Sequence, residues 1–492
     1  MTRAPLRALA DHVGILSEYV DQTGKERRRT TDATRVALLA AMGIDAGDAA
    51  AARRALEELT EREASRVVPP VRVVARRGRD AAEVALALPA ALGASAEWAL
   101  ELREEGGATH RAEGRARRPR EGGALRLRLP VHPPLGYHEL RVALRGRGEE
   151  RATEQTLVVV PPACPSPARL LRGERVAGLT ANLYAVRSAR NWGVGDLTDL
   201  GELLAYAHGA GAAFVGVNPL HALRNRGGDI SPYSPVSRLF RNVLYLDVER
   251  VPELAHAPEA RERIASAGFR RELARLRESR QVDYESVMAI KLPLLETLHS
   301  RFRGAPRREE YDRYLAAQGR ALEDFATFCA LEEHFTSRAP RAASWRAWPA
   351  PYRDPASPAV DAFRREHAER VDFHRWLQFA LDRQLAAASA RGRALGLPVG
   401  VYQDLAIGSA GDGSDCWAYQ SLFVTGASIG APPDPYAALG QNWGLPPVDP
   451  RRLAERRYDY WIALVRSALR HAGALRIDHV MGLFRQFWIP EG

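Results

Sequence analysis

Lysine is nearly missing from this sequence: of 492 residues, 70 of them Lys or Arg, only Lys25 and Lys291 are lysine. The arginines that replace it alternate with acids, as in Arg261-Glu262-Arg263 and from Arg270 to Glu278, which is the pattern of solvated helix faces. A formal charge of +10 therefore does not gather into a phosphate-binding patch, and no nucleic-acid partner is expected. Cysteine is scarce too. Cys164, Cys329 and Cys416 stand alone, without a disulfide framework or paired metal-ligand spacing, and point to a reducing compartment. Long hydrophobic runs are lacking: Met1 to Ala10 carries Arg3 and Arg7 but no signal-peptide core, and no later run approaches a membrane span. A soluble cytoplasmic protein with no membrane partner is the expectation. Gly193-Val194-Gly195-Asp196 lacks the Lys-Ser/Thr of a nucleotide loop and the third glycine of a dinucleotide fingerprint. Asp412, Asp415 and Glu491 do not have the spacing of a calcium loop. Neither a cofactor nor a metal is expected.

What is present suffices for two or three globular domains, at 46% hydrophobic and 26% charged residues. Residues 1–66 read as a helical segment: Leu6 to Val20 has apolar residues at helical spacing, and Asp32 to Met42 repeats this behind a capping Thr31. Residues 67–162 switch to alternation, as in Val71-Arg72-Val73-Val74, Leu125 to Leu129 and Tyr137 to Leu144, and predict a small β-sandwich. A Pro-rich linker, Pro161 to Pro167, leads into the third region, 163–492.

There, short apolar strands alternate with amphipathic helices, the signature of parallel βαβ units. Val176–Thr180, Ala213–Asn218, Pro398–Asp404 and Ala474–Asp478 are the strands, with helices Leu197–His208 and Tyr458–His471 feeding two of them and a helical insertion at about 252–392. The fold class is α/β: a (β/α)8 barrel of which about the first four strands are present. Polar residues gather after the strands, where such a barrel builds its active site.

The strand ends carry Asn218-Pro219-Leu220-His221, Tyr402-Gln403-Asp404 and Arg476-Ile477-Asp478-His479. With Leu183-Tyr184-Ala185-Val186-Arg187-Ser188, Asn191 to Asp196, Ser231-Pro232-Tyr233-Ser234-Pro235, Gly430 to Asp434, Gly440-Gln441-Asn442-Trp443-Gly444 and Gly482 to Gly492, they resemble, in order, the amylomaltase family of 4-α-glucanotransferases, glycoside hydrolase family 77, in its long bacterial form. Glu18-Tyr19-Val20-Asp21 and the following helix resemble that form's N-terminal extension more loosely.

The resemblance implies retaining transfer of an α-1,4-glucan segment to a new 4-hydroxyl, with α-1,4-glucans and maltooligosaccharides as partners. Such chemistry needs a nucleophilic carboxylate and a protonated carboxyl about 5–5.5 Å apart. Asp478 is the expected nucleophile, with Arg476 on the same strand face to keep it ionised; a purely structural ion pair is the alternative. The resemblance implies that His479 and Asp404 hold sugar hydroxyls, Asp404 otherwise serving as a helix cap. Tyr233 and Trp443 are read as aromatic platforms for glucose units, or else as plugs under loops. Asn218 and His221 are expected to add polar contacts. The family's acid/base Glu and a further Asp follow later strands, so both are expected beyond Gly492, and the chain as a piece of a longer enzyme, nearly inactive alone. A non-catalytic glucan-binding protein is the other reading.

Overall fold

In the computed structural model, residues 3–21, 24, 26–76, 83–117, 125–302, 307–338 and 344–491 are described. The chain opens with helix Arg3–His12, not with a helix to Val20. Gly14, at φ 87°, ends it: Ile15 N donates to Ala10 O at 2.9 Å and Gly14 N to Asp11 O at 3.1 Å, a left-handed glycine cap. Beyond it Glu18–Val20 pairs antiparallel with Arg27–Arg29, so the apolar spacing after Gly14 belongs to a hairpin. Helices Asp32–Ala41 and Ala49–Ala64 follow, the first capped by Thr31, whose side chain accepts from Thr34 N at 3.0 Å. Leu6, Leu9, Leu38, Leu39 and Met42 bury their apolar faces against Val424 and Ala427, far along the chain.

The alternating region forms a five-stranded sheet in the order Val71–Ala75, Glu149–Val160, Gly136–Gly146, Ser95–Arg103, Thr109–Arg117, with Glu83–Leu86 and Leu125–Arg128 paired separately. Its inward residues, Val84, Leu86, Leu100, Leu102, Leu140, Val142, Leu144 and Leu157, are almost fully buried. Each such side chain stabilises the fold by roughly 1.5–3 kcal/mol relative to exposure.

Four parallel strands carry the candidate site, in the spatial order Leu179–Ala181, Phe214–Val217, Gly400–Leu405, Ala474–Ile477. The first begins later than Val176 because the chain enters from an exposed linker. Helix Leu197–Gly209 feeds the second strand, Ala368–Ala394 the third and Asp459–Leu469 the fourth. Between second and third strands, helices from Pro258 to Ala394 pack around Phe302, Tyr311, Trp376 and Phe379. A three-stranded antiparallel sheet, Gln441–Leu445, Ala427–Ala431, Phe487–Pro490, lies outside the sequence expectation. It needs Gly430, where any Cβ would stand 2.1 Å from Gln441 O.

Candidate active site

The third and fourth parallel strands run in register, Asp404 opposite Arg476 and Leu405 opposite Ile477, and Asp478 N extends the ladder by donating to Leu405 O at 3.0 Å. Paired residues on neighbouring strands project to one face, and so do residues two apart on one strand. Asp404, Arg476 and Asp478 therefore share a face. Arg476 Nη1 donates to Asp404 Oδ1 at 2.7 Å and Oδ2 at 2.6 Å, while Nη2 donates to Asp478 Oδ1 at 2.7 Å. Tyr233 reaches in from its Pro-rich loop and donates its hydroxyl to Asp404 Oδ2 at 2.8 Å.

The two carboxylates are engaged unequally. Asp404 is buried, 7% exposed, with both oxygens occupied; Asp478 is 24% exposed, and its Oδ2 accepts no hydrogen bond among the described residues. The hydrogen bond to Asp404, aided by the charges of both carboxylates, pushes the Arg476 pKa further above its ordinary value, so the bridge is a permanent cation. Burial, then the bond to the Asp404 carboxylate, pushes the Tyr233 phenol up to about 12, so it remains a donor at neutral pH.

Beyond Asp478 the chain turns through His479 in a left-handed conformation, φ 51° and ψ 57°. The turn sets the His479 ring edge-on to Trp443, with centroids 5.0 Å apart. Trp443 Nε1 donates to Gln441 Oε1 at 3.1 Å, which fixes the indole on its strand. Tyr233 is 40% exposed, a ring with its hydroxyl anchored and a face open to solvent.

Asn218 and His221, expected to add polar contacts, lie at the strand end but turn inward. Both are buried, and the hydrogen bonds of their side chains run to the framework. Asn218 Oδ1 accepts from Leu183 N at 2.8 Å, and its Nδ2 donates to Pro219 O at 2.8 Å and Tyr245 Oη at 3.0 Å. His221 Nε2 accepts from Ala406 N at 3.3 Å. Burial, reinforced by the charges of Arg241 and Arg238, holds His221 well below the ordinary histidine pKa. A strand end offers two faces, and these side chains take the one turned into the protein.

A buried group beneath the third strand was not foreseen from the residues alone. Arg238, 4% exposed, donates through Nη1 to Ala406 O at 3.1 Å and Ile407 O at 2.8 Å, through Nε to Ser409 Oγ at 3.2 Å and through Nη2 to Tyr460 Oη at 3.2 Å. Asp415, 2% exposed, accepts from Arg238 N at 2.9 Å, Ser409 Oγ at 2.7 Å, Tyr460 Oη at 2.9 Å and Ser237 Oγ at 2.6 Å. Together they fix residues 406–409, the segment leaving Asp404. Residues this distant along the chain leave no periodic trace. Gly193-Val194-Gly195-Asp196 is likewise structural: Asp196 caps helix Leu197–Gly209 and, with Asp199 and Asp247, surrounds Arg190 at 2.6, 2.8 and 2.7 Å.

Comparison with known proteins adds the lineage. The family described as 4-alpha-glucanotransferase matches residues 181–492, and the MalQ N-terminal beta sandwich domain matches 67–161. A 4-alpha-glucanotransferase of Mycobacterium tuberculosis (strain H37Rv) is 40% identical over 511 aligned positions, covering 98% of this chain and 66% of that protein. The crystal structure of amylomaltase from Corynebacterium glutamicum superposes with a TM-score of 0.81 at 31% identity, covering 99% of this chain and 67% of that one. Amylomaltase from Streptococcus agalactiae in complex with acarbose, at TM-score 0.53 and 20% identity over 65% of this chain and 64% of its own, shares the fold. The chain thus spans slightly under two thirds of the mycobacterial relative.

Proposed function

This chain belongs to the 4-alpha-glucanotransferase family of glycoside hydrolase family 77, and we propose that it supplies the glucan-binding cleft and the nucleophile of a retaining transfer between α-1,4-glucans. Asp478 Oδ2 attacks the anomeric carbon as the bond to the departing 4-oxygen breaks, giving a glycosyl ester; the 4-hydroxyl of a second glucan then displaces Asp478 and restores the α-configuration. A proton passes to the departing oxygen in the first step and is taken from the acceptor hydroxyl in the second. We assign this exchange to a carboxyl in polypeptide following residue 492, in keeping with the greater length of the relatives. The four parallel strands are then the first four of an eight-stranded β/α barrel, and residues 1–66, 67–162 and 163–492 are helical segment, sandwich and catalytic domain. A cytoplasmic setting, where storage glucans and maltooligosaccharides meet the enzyme, completes the proposal.

One observation carries it: a single guanidinium holds both oxygens of Asp404 but only one of Asp478. Asp404 is thereby suited to hold hydroxyls in fixed positions, and Asp478 keeps an oxygen free to form a bond. Tyr233, bonded to Asp404, and the paired rings of Trp443 and His479 offer faces and polar edges suited to a sugar's C–H faces and hydroxyls. The test is incubation of an enzyme extended beyond Gly492 with a single maltooligosaccharide. Redistribution into shorter and longer chains with little free glucose from hydrolysis is expected, and its persistence at wild-type rate in Asp478→Asn defeats the assignment.

A further inference from the structure

Away from the Asp404–Asp478 cluster, a cavity of about 540 Å³ lies between the β-sandwich and the helix that feeds the fourth parallel strand. Tyr137, Glu139 and Thr156 form its sandwich wall; Phe240, Leu385 and Ile462 give it an apolar floor. Five arginines line it, Arg241, Arg456, Arg457, Arg466 and Arg470, against three carboxylates, Glu139, Asp382 and Asp459. Four of the arginines are already answered: Arg456 by Asp459 at 2.6 Å, Arg457 by Glu154 at 3.4 Å, Arg466 by Glu105, and Arg470 by Asp382 at 2.6 Å.

Arg241 is not. Its Nη2 donates to Ser467 O at 2.5 Å, and it forms no ion pair among the described residues. Asp382, the carboxylate whose charge reaches Arg241, is held by Arg470, His471 and Arg383 at 2.6, 2.9 and 3.3 Å. Burial draws the Arg241 pKa down to about 10, the direction expected of a desolvated guanidinium without a close counterion.

We propose that this cavity binds a phosphate-bearing small molecule of about sugar-phosphate size, with Arg241 as its principal ligand. The planar fork of a guanidinium matches two phosphate oxygens, and an anion here completes a charge that the fold leaves uncompensated. Arg470 and Arg466 line the same cavity but are already paired, so the charge left for an anion is that of Arg241. The apolar floor accommodates a carbon skeleton, and the volume falls within the roughly 300–1,000 Å³ of small-molecule sites. Nothing in this depends on the glucan-transfer reading.

The test is calorimetric titration of the enzyme extended beyond Gly492 with inorganic phosphate and with glucose 6-phosphate, and with glucose as the uncharged control. Both phosphates bind, the ester more tightly. In Arg241→Gln both weaken by at least about tenfold, the loss of one charge-assisted contact. Hydrogen exchange on the wild-type chain gives a second readout that needs no variant: glucose 6-phosphate slows exchange in residues 237–241 and 459–469. Failure of the ester to bind, tighter binding of glucose than of the ester, unchanged affinity in Arg241→Gln, or protection confined to the surroundings of Asp404 and Asp478 overturns the proposal.

Discussion

Asp404 and Arg476 face each other across neighbouring parallel strands, with one guanidinium nitrogen 2.7 and 2.6 Å from the two carboxylate oxygens. The other terminal nitrogen is committed to Asp478 at 2.7 Å. Lysine has one ammonium and no planar fork, so Arg476→Lys cannot hold both acids in this geometry. Losing one or two charge-assisted bonds costs about 2–4 kcal/mol. In an enzyme extended beyond Gly492, kcat for disproportionation should fall about 30- to 1,000-fold, with KM changed far less. Wild-type kcat in that variant counts against the bridge.

Asp478→Asn removes the proposed nucleophile while keeping its shape. Maltooligosaccharide affinity should stay within a few-fold of wild type, the covalent glycosyl species should disappear from mass spectra of the trapped enzyme, and kcat should drop by about 10⁴ or more.

Tyr233 has two separable parts. Tyr233→Phe deletes the 2.8 Å bond to Asp404 and keeps the ring, so it should cost about 1 kcal/mol in kcat/KM, roughly fivefold. Tyr233→Ala also removes the exposed ring, the proposed platform, and should weaken oligosaccharide binding in titration. Equal affinities in the two variants would argue that the exposed face of the ring does not meet sugar.

Lys291 gives a pH signature of stability. It is buried, donates to Leu244 O at 2.6 Å and Leu246 O at 2.9 Å, and burial lowers its pKa from 10.5 to about 8. Between those values the unfolded chain binds the proton that the folded chain has released, so stability rises with pH across that window. The gain is of the order of 3 kcal/mol. The melting temperature of wild type minus that of Lys291→Met should therefore increase from pH 8 toward 10; a flat difference refutes the perturbed lysine.

Arg238 and Asp415 should prove structural. Asp415→Ala strips a carboxylate that accepts four hydrogen bonds and should destabilise by about 3–5 kcal/mol in denaturant unfolding. Hydrogen exchange should accelerate at residues 406–409 before it does elsewhere in the parallel sheet.

The parallel strands were legible because each is a short apolar run that stops at a polar cluster, and the register of Asp404 with Arg476 follows from that placement. Leu6 to Val20 misled because helical spacing continued across Gly14, whose left-handed φ broke the helix while the apolar residues passed to a hairpin. The antiparallel sheet through Ala427–Ala431 stayed hidden in Gly- and Pro-rich sequence whose pairing is fixed by partners far along the chain. Asn218 and His221 share the strand-end position of Asp404, and sequence cannot tell which way such a side chain turns. Arg238 and Asp415, 177 positions apart, meet only once the chain between them has folded.

The burial of Leu6, Leu9 and Leu38 against Val424 and Ala427, together with Arg452 donating to Met42 O at 3.1 Å, also bears on biosynthesis. At about 5–20 residues per second, the opening helices leave the ribosome some 20–80 s before the surface that covers them exists. Over that interval the face they later turn to Val424 and Ala427 meets water or a chaperone, so these helices complete their native contacts only long after they have been made.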